Sequence, residues 1–311
     1  MALLVDTPRW PAHGTLWAHL VSDSSLEELH AFARAHGVPA RAFDLDHYDV
    51  PAARVPELVA AGARAVGGRE LLVRLRASGL RVRGADRPAE AARRRRADLA
   101  DRWDRIDHDA PAQRWRALGA ALLGRWEEPH REYHDVAHLA DVLAHLDQLG
   151  ADGEAVPRAV VLAAWFHDAV YDGEPGRDEE RSADLAGRSL GDVGLPAAEV
   201  AEVVRLVRLT ATHAPAATDR AGAALCDADL AVLAAPPARY AAYAAAVRRE
   251  YAHVGDDDFR RGRAAVLRAL LDHDPLFATA AGRERWEARA RENVAAELDL
   301  LAQGTSTAAP S

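Results

Sequence analysis

The chain has 311 residues, 49% apolar and 28% charged, an ordinary globular composition with length for about two domains. Collagen-like, disordered and disulfide-scaffold classes are excluded. Its 39 basic residues are all arginine and face 48 acidic ones, a net charge of −9. A duplex-binding protein carries a strongly basic face, so general nucleic-acid binding is disfavoured.

The acidity is uneven. Through Arg87 there are 11 Arg against 10 Asp plus Glu, which leaves 28 against 38 in the remainder. A membrane-spanning helix needs ~20 mostly apolar residues, and the longest clean run is Ala159 to Phe166. Asp6 interrupts the N-terminal MALLVD before a signal-peptide core forms. Cys226 is the only cysteine, so no internal disulfide is possible, and the expected location is cytoplasmic.

Leu3 to Val5 reads as a short strand ending at Asp6. Ser25 to Ala35 reads as a helix, started by the Ser/Asp cluster at 22–25 and stopped by Gly37. Ala42 to Val50 has strand-like flanks. Val55 to Ala61 and Arg69 to Ala77 are helical, ended by Gly62 and Gly79, and Leu80 to Arg83 is a candidate last strand. This alternation predicts a small α/β domain over residues 1–85, with Gly84 to Pro88 as linker. The four arginines at 93 to 96 fit either an anion contact or, in the favoured reading, the solvated start of a helix continuing through Trp103 and Ile106.

Beyond residue 90 the pattern is helical. Apolar spacings of three and four recur in 112–125, 131–149, 156–168, 178–190, 196–210, 220–234, 237–253, 257–272 and 281–302, mostly separated by Gly or Pro. An all-α domain is therefore expected over 86–303, and residues 304–311 are expected to be a disordered tail.

Three segments carry candidate chemistry. If 131–149 is one helix, steps of 100° from His134 put His138 at about 40°, Asp141 at about −20° and His145 at about 20°, one stripe beside the apolar face. The buried run Ala159 to Phe166 delivers His167 and Asp168 at its end. An imidazole and a carboxylate there are costly unless paired or bound to metal. Asp227 and Asp229 sit in an otherwise apolar helix, where one could face the site while the other meets a backbone donor. Mixed N and O ligands suit several divalent ions: Mn, Zn, Fe, Co, Ni or Mg.

These residues resemble the HD-domain metal-dependent phosphohydrolases, whose signature is H…HD…D. Tyr133-His-Asp-Val-Ala-His-Leu-Ala-Asp-Val142 is also similar to the Y-H-N-x-x-H-A-x-D-V segment of cyclic nucleotide phosphodiesterases. The resemblance implies an all-α HD-type helical domain. It implies metal ligation by His138, His167, Asp168 and Asp229, with Asp227 as the fallback, and His134 as general acid. Asp135 replaces the motif's Asn. The resemblance covers most of 110–300 and is nearest to an uncharacterised bacterial group of predicted HD phosphohydrolases. Phe166-His-Asp-Ala-Val-Tyr171, Thr212-His213 and Arg249-Glu-Tyr251 are similar to further motifs of that group. Residues 4–80 resemble a separate small domain family of unknown function, through Val5-Asp-Thr-Pro-Arg-Trp10, Trp17-Ala-His-Leu20 and Asp46-His-Tyr-Asp-Val50.

The expected activity is hydrolysis of a phosphoester or phosphoanhydride by a metal-activated water, with His134 protonating the departing oxygen. The expected partner is a small phosphorylated, nucleotide-like substrate. Arg131, Asp172 and His213 are candidate substrate contacts. For Arg131 a solvated helix-start role is the favoured alternative, and for His213 a second-metal or plain helix-end role stands beside it. Alarmone hydrolases of this class carry H-D-x-x-E-D, whereas this chain has His167-Asp-Ala-Val-Tyr-Asp172, which weakens an alarmone assignment. The competing function is a non-catalytic metal-containing module for ligand sensing or regulation, which would need the ligands but not His134. In the first domain, Asp6 with Asp46, His47 and Asp49 could form a second, even nuclease-like metal site. Turn and cap chemistry on an interaction domain is the favoured alternative.

Overall fold

Strand β3 (Thr15–Ser22) is the hub of the N-terminal unit, because it pairs antiparallel with β1 (Leu3–Asp6), β2 (Trp10–Ala12) and β4 (Tyr48–Pro51). A further strand, β5 (Arg64–Val66), adds parallel to β1. This is the arrangement in a computed structural model that describes residues 2–174 and 176–303; the tail expected over 304–311 lies outside the described residues.

Alternation along the strands sorts side chains to two faces. Val5, Ala18, Leu20 and Val50 pack with Leu29 of α1 (Leu26–Ala35) and Leu58 of α2 (Val55–Ala60). Leu4, Val21 and Val66 pack with Leu71 and Leu75 of α3 (Gly68–Ala77). Ser25 caps α1 by accepting from the Glu28 N–H.

Strands β2, β3 and β5 lie outside the elements expected from the sequence. The β2–β3 hairpin turns at His13 and Gly14, both at positive φ (49° and 73°), as a two-residue hairpin turn requires. The usual Asn-Gly or Asp-Gly signal is absent because His takes the first left-handed position. Leu80 to Arg83, the candidate last strand, forms none, and only Tyr48 to Pro51 of the 42–50 region and its flank is a named strand.

The chain divides into two compact units between Arg94 and Arg95. That point falls within α4 (Arg87–Asp104), in which Glu90 pairs with Arg93 and Arg94. No strand follows β5 among the described residues. The helical unit continues with α5 (Ala112–Trp126), α6 (Val136–Ala151), α7 (Arg158–Phe166), α8 (Arg177–Asp192), α9 (Ala197–Leu209), α10 (Arg220–Leu230), α11 (Pro237–Glu250), α12 (Asp256–Leu271) and α13 (Ala280–Gln303). Prolines 111, 157, 196 and 236 stand at the starts of α5, α7, α9 and α11, where the missing N–H costs nothing.

Helix α7 is the central element, packed against α6, α8, α9 and α10. Trp165 and Phe166 are completely buried, and burial of the phenylalanine alone contributes roughly 1.5–3 kcal/mol. This apolar helix is positioned by its core, so the two residues that follow it are held in a defined place. No single helix among the described residues is long and apolar enough to cross a membrane.

Candidate metal centre

His167 caps the C-terminal end of α7. Its Nδ1 lies 2.8 Å from the Ala164 carbonyl, to which it donates, leaving Nε2 to face the interior. His138, in the first turn of α6, presents its Nε2 3.1 Å from that nitrogen. Asp229, near the end of α10, places Oδ1 3.1 Å from His138 Nε2 and 3.7 Å from His167 Nε2. Asp168 Oδ2 stands 3.2 Å from His167 and 3.8 Å from His138. Three helices thus converge two imidazoles and two carboxylates on one point.

The donor set fits a small divalent ion. Bonds of about 2.0–2.2 Å to N and O ligands require neighbouring donors roughly 3.0–3.5 Å apart, close to the separations here. Both imidazoles are almost fully buried, and two ring nitrogens cannot face each other at 3.1 Å unless a proton or a cation lies between them. Burial opposes charge on His167, yet Asp168 and Asp229 outweigh it and raise its pKa to about 9. Burial likewise opposes charge on Asp229, but His167 and hydrogen bonds to His138 and His213 hold it well below the ordinary carboxylate value. The same negative field favours a divalent cation.

Asp227 has a different task. It accepts from the N–H groups of Ala278 and Thr279 and from the Thr279 hydroxyl, at 2.7, 2.8 and 2.6 Å. Two residues apart on α10, one aspartate faces the cluster and the other ties the helix to the start of α13.

His134 is not on the helix, because α6 begins at Val136 with Asp135 as its N-cap. Asp135 accepts from the N–H of Ala137 and His138. Aspartate is among the favoured N-cap residues, so Asp135 starts α6 at this point. The four-residue stripe therefore does not form one site. Asp141 pairs with Arg239, and His145 bonds the Ala228 carbonyl.

His134 is held instead by Glu250, at the end of α11. Glu250 Oε2 is 2.7 Å from His134 Nδ1, and Oε1 accepts from the N–H groups of Glu132, Tyr133 and His134, each at 2.9 Å. Burial pushes Glu250 up, but His134 and these N–H groups bring its pKa to about 2. Burial lowers the His134 pKa, but Glu250 and the nearby carboxylates raise it overall. The imidazole stacks on Tyr171 at 4.2 Å, and Tyr133 packs against both His134 and His138.

Two of the expected substrate contacts have partners within the fold. Arg131 has a fully buried side chain that donates to the carbonyls of His134, Asp168 and Ala169 and to Glu128, between the rings of Trp126 and Tyr171. Its donors are spent inside the fold, where they tie the His134 segment to the end of α7. Asp172 is ion-paired with Arg181 on the surface. It lines a cleft of about 290 Å³ with His130, Tyr171, Glu250, Tyr251 and His253. His213 belongs to the cluster: its Nε2 is 2.8 Å from Asp229 Oδ2, and its backbone is left-handed at φ 50°. Glu250 lies in Arg249-Glu-Tyr251, and nothing in the local sequence pairs it with His134. Only the fold brings it next to His134.

Residues 3–78 match a family model described as protein of unknown function (DUF4031). The match lies in the N-terminal unit, where residues 4–80 had resembled a small domain family of unknown function. No curated protein and no solved structure matches the chain.

Proposed function

We propose that the helical unit is an HD-type metal-dependent phosphohydrolase acting on a small phosphorylated, nucleotide-like substrate. The observation that carries this reading is the pairing of two features: a buried His138/His167/Asp168/Asp229 donor set, and an imidazole beside it, His134, backed by its own buried carboxylate. A site that only held a metal would have no need of the second feature.

When bound, a divalent ion would supply Lewis acidity toward a phosphoryl oxygen and lower the pKa of water. Glu250 fixes the His134 ring through Nδ1 and favours its protonated form, so the other nitrogen delivers a proton to the departing oxygen. Tyr171 sets the ring plane. Arg131 bridges the His134 and Asp168 carbonyls, at 2.8 Å each, and so sets the distance between the acid and the ligands. His213 bonds the second oxygen of Asp229 and aims the first at the cluster.

The test is metal content of the purified protein, wild type beside Asp168→Ala, with hydrolysis of mononucleotides, cyclic nucleotides and nucleotide pyrophosphates. Asp168→Ala is expected to lose one equivalent of metal together with turnover, while His134→Ala keeps metal and loses rate. Full activity in Asp168→Ala would overturn the site. Metal without turnover on any of these classes would favour the non-catalytic sensing module.

A further inference from the structure

A second cluster lies wholly within the N-terminal unit and owes nothing to the helical site. Asp6, His19 and Asp49 share one face of the sheet, the face opposite Val5, Leu20 and Val50. His19 on β3 and Asp49 on β4 are direct cross-strand partners, which brings their side chains together. His47, just before β4, completes the group, its ring 4.8 Å from that of His19. His19 Nε2 is 3.9 Å and His47 Nε2 3.4 Å from the same oxygen, Oδ1 of Asp49. The three donor atoms all lie within 4.8 Å of one another.

The outer contacts of the two imidazoles are matched. His19 Nδ1 is 2.9 Å from Asp6 Oδ2, and His47 Nδ1 is 2.7 Å from Asp46 Oδ1. Both carboxylates are themselves anchored. Asp6 accepts from the His19 N–H at 2.7 Å, and the fully buried Asp46 accepts from the Val82 N–H and from Arg81. A carboxylate on Nδ1 fixes the tautomer that leaves a lone pair on Nε2 and makes that nitrogen a stronger donor. Two histidines so prepared, each with Nε2 within 3.9 Å of one carboxylate oxygen, make a two-nitrogen, one-oxygen ligand set. The charge also fits. With neutral imidazoles, Asp6, Asp46 and Asp49 against Arg81 leave two negative charges for a divalent cation to neutralise. Asp49 is half-exposed, so solvent reaches the cluster and coordination positions on that side stay open.

We propose that His19, His47 and Asp49 form a binding site for a first-row divalent transition-metal ion, with Asp6 and Asp46 as the carboxylates that orient the two histidines. Sequence pattern pointed to Asp6, Asp46, His47 and Asp49. The structure adds His19 and moves Asp6 and Asp46 from ligands to supports. Two histidines and one carboxylate with open positions suit Fe²⁺, Co²⁺ or Zn²⁺.

The test uses the full chain, stripped with chelator and dialysed against Co²⁺ or Zn²⁺, with bound metal counted per chain. Asp49→Ala and His19→Ala should each bind one equivalent fewer than wild type, whatever the helical unit holds, with an unchanged circular dichroism spectrum. The visible Co²⁺ absorption of this equivalent should survive in Asp168→Ala and vanish in Asp49→Ala. Asp6→Asn should retain the site but weaken it by roughly 10–100-fold. Equal metal content in wild type, Asp49→Ala and His19→Ala would overturn the proposal. So would loss of the Co²⁺ signal in Asp168→Ala with no change in Asp49→Ala. Because the readout is a difference of one equivalent, failure here is distinguishable from failure of the helical site.

Discussion

Asp227 and Asp229 are two residues apart on α10, yet replacing each with alanine should have opposite consequences. Asp227→Ala removes the acceptor of three donors. Ala278 is exposed and can turn to water, whereas Thr279 is buried, so its N–H is left unsatisfied at about 1–3 kcal/mol, and its hydroxyl, which still accepts from the Gly282 N–H, loses the group it donates to. Part of this is offset. Burial outweighs the hydrogen bonds from Thr279 and Ala278 and raises the Asp227 pKa, so the fold disfavours its charged form relative to the unfolded chain. The net loss should be about 2–4 kcal/mol. A raised carboxylate pKa means the folded state holds the proton more tightly than the unfolded chain. That contribution is complete below the ordinary aspartate value and declines as pH rises through the raised one. The loss should therefore be larger on the acid side than at neutral pH. Asp229→Ala removes no backbone acceptor; it takes away the partner of His138 and His213 and should bind one equivalent of metal fewer. Urea unfolding with chelator in both samples removes the stabilisation by bound metal and reads the midpoint at constant slope. If Asp227→Ala loses the metal with its stability unchanged, or Asp229→Ala keeps full metal, the division of labour between them is wrong.

Glu250→Gln should keep the helical-site metal but narrow the pH profile. Glu250 raises the His134 pKa above its ordinary 6.5, so the acid form persists to higher pH in wild type, and the alkaline limb of kcat should move to lower pH in the variant. An unmoved limb would separate His134 from the proton transfer. Arg131→Ala should lower stability by about 3 kcal/mol, because three carbonyls and the Trp126 and Tyr171 rings lose a buried partner; a melting temperature equal to wild type would return Arg131 to the list of substrate contacts. Gly119→Ala places a Cβ 2.4 Å from Trp103, which is buried, stacked on Trp115 and held by reciprocal indole-to-carbonyl hydrogen bonds. With no room to yield, the helical unit should lose about 1–3 kcal/mol in denaturant unfolding, and an unchanged midpoint would mean that the tryptophan pair shifts freely.

The helical unit was legible because its signals are local. Apolar spacing and the prolines at 111, 157, 196 and 236 mark most helices closely, and the apolar run of α7 by itself singles out His167 and Asp168. The sheet was less legible because its strands are short and its hairpin turns on His13-Gly14, which does not carry the usual residues. The amino-acid order alone determined which residues could serve as ligands. It also showed that either Asp227 or Asp229 could face a site, because both lie on one helix and pattern does not say what stands opposite. Packing decided between them by setting Thr279 against one and His138 against the other. It likewise made Arg131 a buried clamp, brought Glu250 to His134 across 116 residues of chain, and paired His19 with Asp49. These are long-range contacts. Their partners are chosen by how helices and strands close on one another, which periodicity along the chain does not encode.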